Sequence, residues 1–494
     1  MGVVLTIDAG TTGVRAMAVG EDGVPTRTVY REFPQYFPRP GWVEHDAGEI
    51  WAAVTAVISK LLDRLDSKQE PVIAIGITNQ RETTVVWDRG TGKPLSRAIV
   101  WQDRRTADEC ERLQKSGHLD LIRSRTGLVL DPYFSASKLG WLFGQGKIQP
   151  GPEVAFGTVD SWIVWCLTGG AVHATDHSNA SRTMLLDINK LEWDEELCDL
   201  FGVPTSVLPE LVPSCGRIAI TALGAVPGLP GGIPISGCAG DQQAALFGQA
   251  CFEPGMTKNT YGTGSFVLMN IGAKVPSPSE GLLTTVAWTG AGDSPAYALE
   301  GSIFVTGAAI QWLRDQLRVI SDAAEIGPLA ESAGDSGGAY FVPAFTGLGS
   351  PWWDPHARGT LVGLSRGIGR AELARAAVEA MAYQTRDVID SMCAATGNPL
   401  SELRVDGGAS VMGLLLQFQA DLVGVPVVRA AVSDTTALGA ALLAGLAEGV
   451  WASPSEIAAS WRSDHTALPG EAQPVVDAGY QMWRRAVERS RAWA

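Results

Sequence analysis

Three glycine-containing turns, each after an apolar run, carry residue types that can bind phosphate. They are Asp8-Ala9-Gly10-Thr11-Thr12-Gly13, Gly262-Thr263-Gly264-Ser265 and Gly407-Gly408. Glycine lets the backbone approach phosphate oxygens, to which backbone N–H groups and threonine hydroxyls can donate. Each turn alone is a weak signal, and a plain turn is the simpler interpretation. Three such turns at strand ends indicate a phosphate site, because ligands of α/β sheets gather there.

Two aspartates stand where a carboxylate could act beside these turns. Asp8 ends the first apolar run, where it could orient a metal-bound water. Asp241 lies in Gly240-Asp241-Gln242-Gln243, between the end of a strand and the start of a helix. Taken alone, Asp241 is most simply interpreted as a helix N-cap. The alternative is a carboxylate that accepts a proton from a substrate hydroxyl.

Two other patterns resemble known sites but lack essential residues. The segment GTGK at 90–93 is similar to the end of a P-loop, but Pro94 stands where Ser or Thr is required. His173 and His177 are four residues apart, yet the sequence offers no evident third metal ligand. We therefore expect an ordinary turn and two solvated or hydrogen-bonded histidines.

The turns need an α/β framework, and the sequence predicts this framework twice. Residues 3–7 and 14–19 predict a hairpin around the first turn, and apolar spacing predicts a helix over 47–65 before a buried strand at 72–77. Residues 256–261 and 266–270 predict a second hairpin. A helix over 371–392, a strand over 403–406 and a helical tail after about 454 follow. We interpret this plan as a duplication with a cleft between its halves, joined near the turn-forming residues 252–255.

Composition and charge limit the class of protein. The chain has 494 residues, of which 46% are hydrophobic, and this apolar fraction excludes a disordered chain. The net charge of −15 argues against nucleic acid or an anionic membrane as the main partner, since both require excess Lys and Arg. A phosphorylated ligand is still allowed, because a glycine-rich loop, one Arg and a metal can hold it.

Cysteine usage and the apolar runs bear on the compartment. The seven cysteines are scattered without C-x-x-C spacing, which fits reduced thiols better than a disulfide framework. No apolar run reaches the roughly 18 residues of a membrane span, and the start of the chain lacks the pattern of a signal peptide. We therefore expect a cytoplasmic protein without a membrane span.

Eight longer segments are too specific to agree with a known family by chance. They are PGWVEHD (40–46), GITNQRETT (76–84), AIVWQDRRT (98–106), TGLVLDPYF (126–134), GCAGDQQAALFG (237–248), NTYGTG (259–264), PAFTGLG (343–349) and RVDGGA (404–409). With them, the chain resembles the glycerol kinases, members of a sugar-kinase family that shares the actin/hexokinase-type fold. The resemblance extends from residue 8 to about 449.

The resemblance implies a fold, a reaction and an assembly. The fold would consist of two duplicated actin-like, ribonuclease H-like α/β domains with a cleft between them. We place them at residues 1–252, with the glycerol site, and at 253–494, with the nucleotide site and a helical tail. The reaction would be the ATP-dependent phosphorylation of glycerol to sn-glycerol 3-phosphate, a step of glycerol uptake and catabolism, with Mg²⁺ as cofactor. The protein would form a homo-oligomer, a dimer or a tetramer.

The resemblance also implies a role for each candidate residue. Asp241 would be the general base. The residues that hold glycerol would be Arg81, Glu82, Trp101, Tyr133, Asp241, Gln242 and Phe266. The residues that hold ATP or ADP between the two Gly-Thr hairpins would be Thr11, Thr12, Gly13, Arg15, Thr263, Gly307, Gln311 and Gly408. Asp8 would hold Mg²⁺, through water.

The chain departs from the family pattern in its expected nucleotide and regulatory sites. Members often carry an Asn near the nucleotide where Met412 aligns. Bacterial relatives inhibited by fructose 1,6-bisphosphate bind it with a glycine-rich loop that ends in Arg, whereas the loop 227–232 of this chain ends in Gly232. Residues 213–232 also contain no His, so the phosphohistidine activation of some relatives has no acceptor there. We therefore expect insensitivity to fructose 1,6-bisphosphate at that site.

Two other functions stay open at this point. A kinase for xylulose or gluconate would share the hairpins but lack the context of NQRE at 79–82 and DPY at 131–133. A non-catalytic, actin-like or chaperone-like ATP-binding protein would need neither a catalytic aspartate nor a set of residues for a triol. A substrate panel decides on the first, and glycerol-independent ATPase activity with no glycerol phosphate formed would favour the second.

Overall fold

A computed structural model describes residues 2–146, 148–292, 294–470 and 473–494. The first half has strands β1 (Val3–Ala9), β2 (Gly13–Gly20), β3 (Pro25–Glu32), β4 (Glu44–His45), β5 (Val72–Asn79), β6 (Val85–Asp88), β7 (Ala98–Ile99), β8 (Val154–Gly157), β9 (Ala174–Asp176), β10 (Leu186–Asp187), β11 (Glu192–Trp193), β12 (Glu210–Val212), β13 (Cys215–Ile220) and β14 (Pro234–Gly240). Its helices are α1 (Ala47–Leu62), α2 (Ala107–Lys115), α3 (Leu119–Thr126), α4 (Ser135–Gly144), α5 (Val159–Leu167), α6 (His177–Ala180), α7 (Glu195–Phe201) and α8 (Asp241–Gly248).

The second half repeats the alternation of strands and helices. Its strands are β15 (Thr257–Tyr261), β16 (Ser265–Gly272), β17 (Leu283–Trp288), β18 (Ala296–Ile303), β19 (Tyr340–Val342), β20 (Thr360–Val362), β21 (Leu403–Asp406), β22 (Val427–Ala430) and β23 (Ser463–Ala467). Its helices are α9 (Gly307–Asp315), α10 (Ile326–Ser332), α11 (Arg370–Thr396), α12 (Gly413–Val423), α13 (Thr435–Ala447), α14 (Pro454–Ser460) and α15 (Gln473–Ser490). Short 3₁₀ helices lie at Thr205–Val207, Ala323–Glu325 and Gly408–Val411.

The two large sheets have matching strand orders when the first order is read in reverse. The order in the first half is β13-β14-β5-β1-β2-β3, and in the second it is β17-β18-β16-β15-β21-β22-β23. Each sheet contains an antiparallel hairpin, β1 with β2 and β15 with β16. The first strand of each hairpin also pairs in parallel with a later strand, β1 with β5 and β15 with β21. A further parallel pair follows, β14 with β5 and β22 with β21. This repeat confirms the predicted duplicated α/β fold, including both Gly-Thr hairpins.

Helix α1 shows how local sequence determines an element and its end. The Asp46 side chain accepts hydrogen bonds from the backbone N–H groups of Gly48 and Glu49, which satisfies donors that the first turn leaves unpaired. The helix ends at Leu62, whereas its apolar spacing predicted Leu65. The chain continues in turns, in which the Leu65 N–H donates to the Leu62 carbonyl. Leu65 still packs against the core of the first half, which explains why it fits the spacing.

Helix α13 belongs to the second half but packs against the first. It contacts α8 and the strands β14, β5 and β1. At its crossing with α8, a Cβ added to Gly439 would overlap the carbonyl oxygen of Ala244, and one added to Gly248 would overlap that of Thr435. The two glycines therefore allow a close approach of the helices that joins the halves.

Replacing Gly439 by Ala should destabilise the fold, because the added methyl group has no space at this crossing. Overpacking of a filled core costs about 1–3 kcal/mol, and sometimes more. Urea unfolding followed by circular dichroism would measure the loss. Gly144→Ala is the matched control, since Gly144 ends helix α4 and a Cβ there would meet no heavy atom within 4 Å. Equal stability of the two variants would contradict the assigned role of the crossing.

The remaining predictions on cysteines and membrane segments also have structural outcomes. All seven cysteines are free thiols, and most of them are buried. Among the described residues, no helix combines the length and the apolar character that a membrane crossing requires. The predicted helical tail contains α14 and α15, with the short edge strand β23 between them.

Candidate functional site

Three parallel strands bring the predicted functional residues of the first half together. Strands β14, β5 and β1 are neighbours, and their carboxyl ends lie at the same sheet edge. In their register Asp8 is opposite Thr78, and Gly240 is opposite Asn79. Asp8, Arg81 and Asp241 therefore come from adjacent strand ends, where the binding sites of such sheets form.

The chain reverses sharply after β5, and this turn points Arg81 and Glu82 into the protein. Glu82 has φ of 60°, a left-handed conformation that is rare for a residue with a side chain. The Thr83 N–H donates to the Arg81 carbonyl over 2.7 Å. Strained residues of this kind are held by their surroundings and cluster at functional sites. The side chains of Arg81 and Glu82 are each 1% exposed.

A buried ion cluster surrounds these two residues. Arg81 forms a two-pronged pair with Glu300 of β18, with Nη1 2.5 Å from Oε2 and Nη2 3.0 Å from Oε1. Arg182 donates from Nε to Glu82 Oε1 over 2.7 Å and from Nη2 to Glu300 Oε1 over 3.0 Å. Burial alone would raise the pKa of Glu300, but Arg182 and Arg81 lower it to about 2. Glu300 is therefore ionised across the physiological pH range.

Asp241 is the exposed member of this group. Its side chain is 30% exposed, and its Oδ1 lies 3.2 Å from Arg81 Nε. Gly240, not Asp241, is the N-cap of α8; Asp241 is the first helical residue, and its Oδ1 accepts from the N–H of Gln242 over 2.7 Å. The simpler N-cap interpretation is therefore wrong. Burial raises the pKa of the Asp241 carboxyl, against the lowering effects of Arg81 and Lys258.

Aromatic side chains line the neighbourhood of Asp241 and Arg81. The rings of Trp101 and Tyr133 meet edge to face, with centroids 5.5 Å apart. The Arg81 guanidinium lies 5.9 Å from the centroid of Phe266, and its Nη2 is 3.4 Å from the Tyr133 hydroxyl. The Trp101 indole N–H donates to the Thr11 hydroxyl over 3.0 Å, which links this wall to the first hairpin turn. The four residues Trp101, Tyr133, Phe266 and Arg81, all of which are predicted to hold glycerol, thus lie together.

Gln242 is positioned by a buried lysine that the sequence analysis did not identify. Lys258 of β15 donates from Nζ to Gln242 Oε1 over 2.5 Å and to the Thr260 hydroxyl over 3.0 Å. Burial lowers the pKa of Lys258 to about 8, although Asp406 and Asp241 oppose the shift. The orientation of the Gln242 amide is therefore determined from the second half.

The predicted nucleotide residues of the second half converge on its hairpin turn. The N–H groups of Thr306 and Ala308 each donate to the Thr263 carbonyl over 3.0 Å, and that of Gly307 to the Gly262 carbonyl over 3.1 Å. A Cβ added to Gly307 would lie 2.5 Å from that Gly262 oxygen, so the first turn of α9 requires glycine to sit against the hairpin. Gln311 follows one turn later on α9 and is exposed.

The third glycine turn lies beside the same hairpin. Gly407 has φ of 86°, and a Cβ there would overlap the Tyr261 carbonyl at the end of β15. A Cβ added to Gly408 would meet no heavy atom within 4 Å, so the space beside it is open. Met412, which aligns with an Asn in many relatives, packs against the core of the second half. The second and third glycine turns therefore lie side by side in the second half, with open space beside Gly408.

The first hairpin turn carries Asp8 and Arg15 in an acidic setting. Arg15 Nη1 lies 2.5 Å from Asp434 Oδ1 and 3.7 Å from Asp8 Oδ2. Burial raises the pKa of Asp8 to about 7; Arg15 lowers it, and Asp241 and Asp434 raise it further. The Thr12 hydroxyl is 3.2 Å from that of Tyr30. A Cβ added to Gly13 would lie 2.6 Å from the same Tyr30 oxygen, which explains the glycine there by packing.

The two patterns that lacked essential residues have structural explanations. His173 Nε2 is 2.6 Å from the Phe156 carbonyl oxygen, and His177 Nδ1 is 3.0 Å from the Thr289 hydroxyl. Both histidines are hydrogen-bonded within the fold, as expected. Residues 90–93 form a turn after β6, in which the Thr91 N–H donates to Asp88 Oδ1 over 2.7 Å. This turn carries no phosphate-binding helix.

Residues missed by the sequence analysis include Arg182, Lys258 and Glu300. Glu300 had a usable signal, since it is a single charge within the otherwise uncharged strand β18. A charge in a strand that is buried on both faces needs a partner of opposite charge. Arg182 follows the short helix α6 and had no comparable signal, because nothing local shows that it faces Glu82.

The family domains and the relatives agree with this architecture. The N-terminal domain of the FGGY family of carbohydrate kinases matches residues 3–248, and its C-terminal domain matches residues 257–448. Glycerol kinase 2 of Thermotoga maritima is 52% identical over 498 residues, covering 100% of this chain and 99% of that protein. A glycerol kinase of Symbiobacterium thermophilum is 53% identical over 504 residues, covering 100% and 99%.

A solved structure extends the comparison to three dimensions. The crystal structure of Plasmodium falciparum glycerol kinase with ADP superposes with a TM-score of 0.93 at 36% identity, covering 99% of this chain and 98% of that one. The chain belongs to the FGGY family of carbohydrate kinases.

Proposed function

We propose that this protein transfers the γ-phosphoryl group of ATP to glycerol and forms sn-glycerol 3-phosphate. Asp241 carries the proposal, because it is a partly exposed carboxylate with a raised pKa among side chains suited to a polyol. Relatives that are about half identical over the whole chain are glycerol kinases, which supports the choice of substrate. This activity would serve glycerol uptake and catabolism.

The surrounding residues suit glycerol chemically. Glycerol has three hydroxyls and no charge, so its site must offer several hydrogen-bond donors and acceptors around a short carbon chain. Arg81, Glu82 and Tyr133 supply the polar groups, while Trp101 and Phe266 supply apolar surface. Because Arg81 and Glu82 are each 1% exposed, glycerol reaches them only when the side chains or halves that cover them move apart.

The chemical step needs a proton acceptor and an aligned phosphate. Asp241 accepts the proton of the attacking hydroxyl, whose oxygen forms a bond to the γ-phosphorus while the bond to the ADP oxygen breaks. The backbone of the two Gly-Thr hairpins and of Gly408 holds the phosphates in line. Enclosure between the halves keeps water away from the γ-phosphoryl group.

The donors near the first hairpin fit Mg²⁺. Asp8 offers carboxylate oxygens, the ligands this ion prefers, and burial raises the Asp8 pKa to about 7 although Arg15 Nη1 lies 3.7 Å from Asp8 Oδ2 and lowers it. We propose that Asp8 holds the ion through water. The ion supplies neutralisation of the phosphate charge, and Arg15, paired with Asp434, adds positive charge nearby.

Assembly and location are further parts of the proposal. We propose a cytoplasmic homo-oligomer, a dimer or a tetramer, and the division into domains at 252 and 253. Seven free cysteines are consistent with a reducing compartment. Size-exclusion chromatography with light scattering would measure the assembly, and a monomeric mass at micromolar concentration would contradict it.

A substrate panel tests the choice of glycerol. Initial rates with Mg-ATP and glycerol, xylulose or gluconate should give a kcat/KM for glycerol that exceeds the others by at least about 100-fold. The expectation follows from sites built to hydrogen-bond particular hydroxyls, which discriminate by about 10⁴ when groups are left unpaired. A higher kcat/KM for xylulose or gluconate would assign the protein to another branch of the family.

The protein should be insensitive to fructose 1,6-bisphosphate at the loop 227–232. A bisphosphate site needs backbone donors and a cation, and this loop lacks Arg. Its own structure uses two donors, since the Leu229 N–H donates to the Val226 carbonyl over 3.1 Å and the Gly232 N–H to the Thr221 carbonyl over 2.8 Å. Initial rates up to millimolar effector, at constant free Mg²⁺, should stay unchanged. Saturable inhibition would contradict the expectation.

The obvious rescue variant meets a backbone problem. Substituting Gly232 by Arg would supply the missing cation, and we expect it to restore sensitivity to fructose 1,6-bisphosphate. Gly232 has φ of 85°, a conformation that costs a residue with a side chain about 1–2 kcal/mol. Because this strain weakens the response even when the cation is present, the stability of Gly232→Arg must be measured beside its inhibition.

A further inference from the structure

The buried ion cluster joins the two halves of the protein at the proposed glycerol site. We define this interhalf cluster as Glu82, Arg182, Glu300, Arg81 and Asp241, in which acidic and basic side chains alternate. Four of its members belong to the first half, and Glu300 alone comes from the second. The side chains of Arg182 and Glu300 are 0% exposed. Such burial is costly for a charge unless partners and geometry are well arranged.

Glu300 determines how the donors of Arg81 are used. It engages Nη1 and Nη2 together, Gln243 Oε1 accepts from Nη1 over 3.2 Å, and Asp241 lies 3.2 Å from Nε. The longest hydrogen bond of the guanidinium is the 3.4 Å one from Nη2 to the Tyr133 hydroxyl, on the aromatic side. A polyol hydroxyl can therefore most easily replace the Tyr133 hydroxyl as the acceptor for Arg81 Nη2. Glu300 sets the direction of this donor.

Arg182 orients Glu82 in the way that Glu300 orients Arg81. Its Nε holds Glu82 Oε1, and its Nη2 holds the Glu300 oxygen that also receives Arg81 Nη2. Its guanidinium lies 5.2 Å from the ring centroid of Phe134 and 5.7 Å from that of Tyr133. One guanidinium thus orients the acceptor Glu82 and ties it to the donor Arg81 through Glu300.

We propose that Glu300 and Arg182 are positioning residues for the polyol site, through which docking of the second half orients Arg81 and Glu82 of the first. This inference rests on the proposed function. The geometry of the glycerol site then depends on a carboxylate from the half that carries the nucleotide site. Neither residue needs to touch glycerol.

Steady-state kinetics of Glu300→Gln tests the proposal. Glutamine keeps the size of the side chain and one acceptor, but it removes the charge and the second acceptor. Because a hydrogen bond to a charged group contributes about 1.5–3 kcal/mol, we expect glycerol KM to rise about 10-fold or more. We expect ATP KM to change less than about twofold, since the nucleotide residues lie outside the cluster.

A pair of substitutions at Arg182 provides rescue and a second route if Glu300→Gln does not fold. Arg182→Met removes the charge at similar length, whereas Arg182→Lys keeps the charge and one donor. The proposal predicts a glycerol KM that rises strongly in Arg182→Met and is partly restored in Arg182→Lys. Equal glycerol KM values in Arg182→Met and the unmodified protein would overturn the proposal.

Asp387→Asn is the matched control for a buried carboxylate of the second half. Asp387 accepts from the Tyr480 hydroxyl over 2.6 Å and from the Trp483 indole over 2.8 Å, and neither of these partners belongs to the interhalf cluster. The Asp387→Asn variant should lose stability and keep the glycerol KM of the unmodified protein. If glycerol and ATP KM rise together in proportion to lost stability in all variants, the cluster is merely structural and the proposal fails. An unmodified protein without glycerol-dependent turnover would instead overturn the proposed function.

Discussion

Replacing Asp241 by Asn should abolish turnover while leaving glycerol binding measurable. Asparagine keeps the shape of the side chain but cannot accept a proton at neutral pH. Loss of a general base reduces the rate by about 10²–10⁴-fold. Initial rates at saturating glycerol and ATP would give kcat, and isothermal titration would give glycerol affinity. The Asp241 contact with Arg81 Nε at 3.2 Å is retained through the amide oxygen, so binding should change little.

A control separates catalysis from the stability of a helix start. Asp241 begins α8, where a negative charge favours the helix dipole. Glu195 begins α7 in the same way, with no contact to the site. Glu195→Gln should therefore reproduce any small loss of helix stability without loss of kcat. If Asp241→Asn retains most of its kcat, Asp241 serves the helix and not the reaction.

Arg81→Ala and Glu82→Gln should mainly weaken glycerol binding. Losing a charged hydrogen bond to the substrate costs about 1.5–3 kcal/mol, which corresponds to an increase in glycerol KM of about 10- to 150-fold. Arg81→Ala should also reduce stability by about 3–5 kcal/mol, because it leaves buried carboxylates without their partner. Glu82→Gln removes a charge at constant size and should be the milder variant. Steady-state kinetics and urea unfolding would measure both effects.

Arg81→Lys shows whether the positive charge at residue 81 alone is sufficient for glycerol binding. Lysine retains the charge but not the planar fork that Glu300 engages with both oxygens. Glycerol KM in Arg81→Lys should therefore stay well above that of the unmodified protein. Unchanged glycerol KM in Arg81→Ala and Glu82→Gln, with intact folding, would remove both residues from the substrate site.

The sequence was sufficient for both hairpins and for the strand ends that carry the site. Both hairpins follow from β-branched apolar runs separated by glycine turns, which are local signals. The positions of Asp8, Arg81 and Asp241 at strand ends follow from the same runs. Parallel pairing then brings the three together at one sheet edge, as the register of β14, β5 and β1 shows.

Contacts between distant segments were beyond the reach of local patterns. Glu300 is 219 residues from Arg81 and 118 from Arg182, so no spacing rule joins them. The packing of α13 on the first half is similarly non-local, and its cause is the pair of glycines at 248 and 439 that allow two helices to cross closely. Such contacts depend on how the halves dock, and local sequence patterns do not report this docking.

The end of α1 shows a smaller limit of the same kind. Leu65 continues the apolar spacing because it faces the same core as α1, yet the helix ends at Leu62. Periodicity reports which side chains are buried, and burial persists in the turns that follow. The helix end depends on backbone hydrogen bonds that periodicity does not describe.

One assay tests the central claim most directly: ADP release from Mg-ATP with and without glycerol, with glycerol 3-phosphate measured in the same sample. The account predicts ADP and glycerol 3-phosphate in equal amounts, with negligible ADP release when glycerol is omitted and loss of both products in Asp241→Asn. ADP release that is independent of glycerol, with no glycerol 3-phosphate formed, would contradict the account and favour an actin-like or chaperone-like ATP-binding protein.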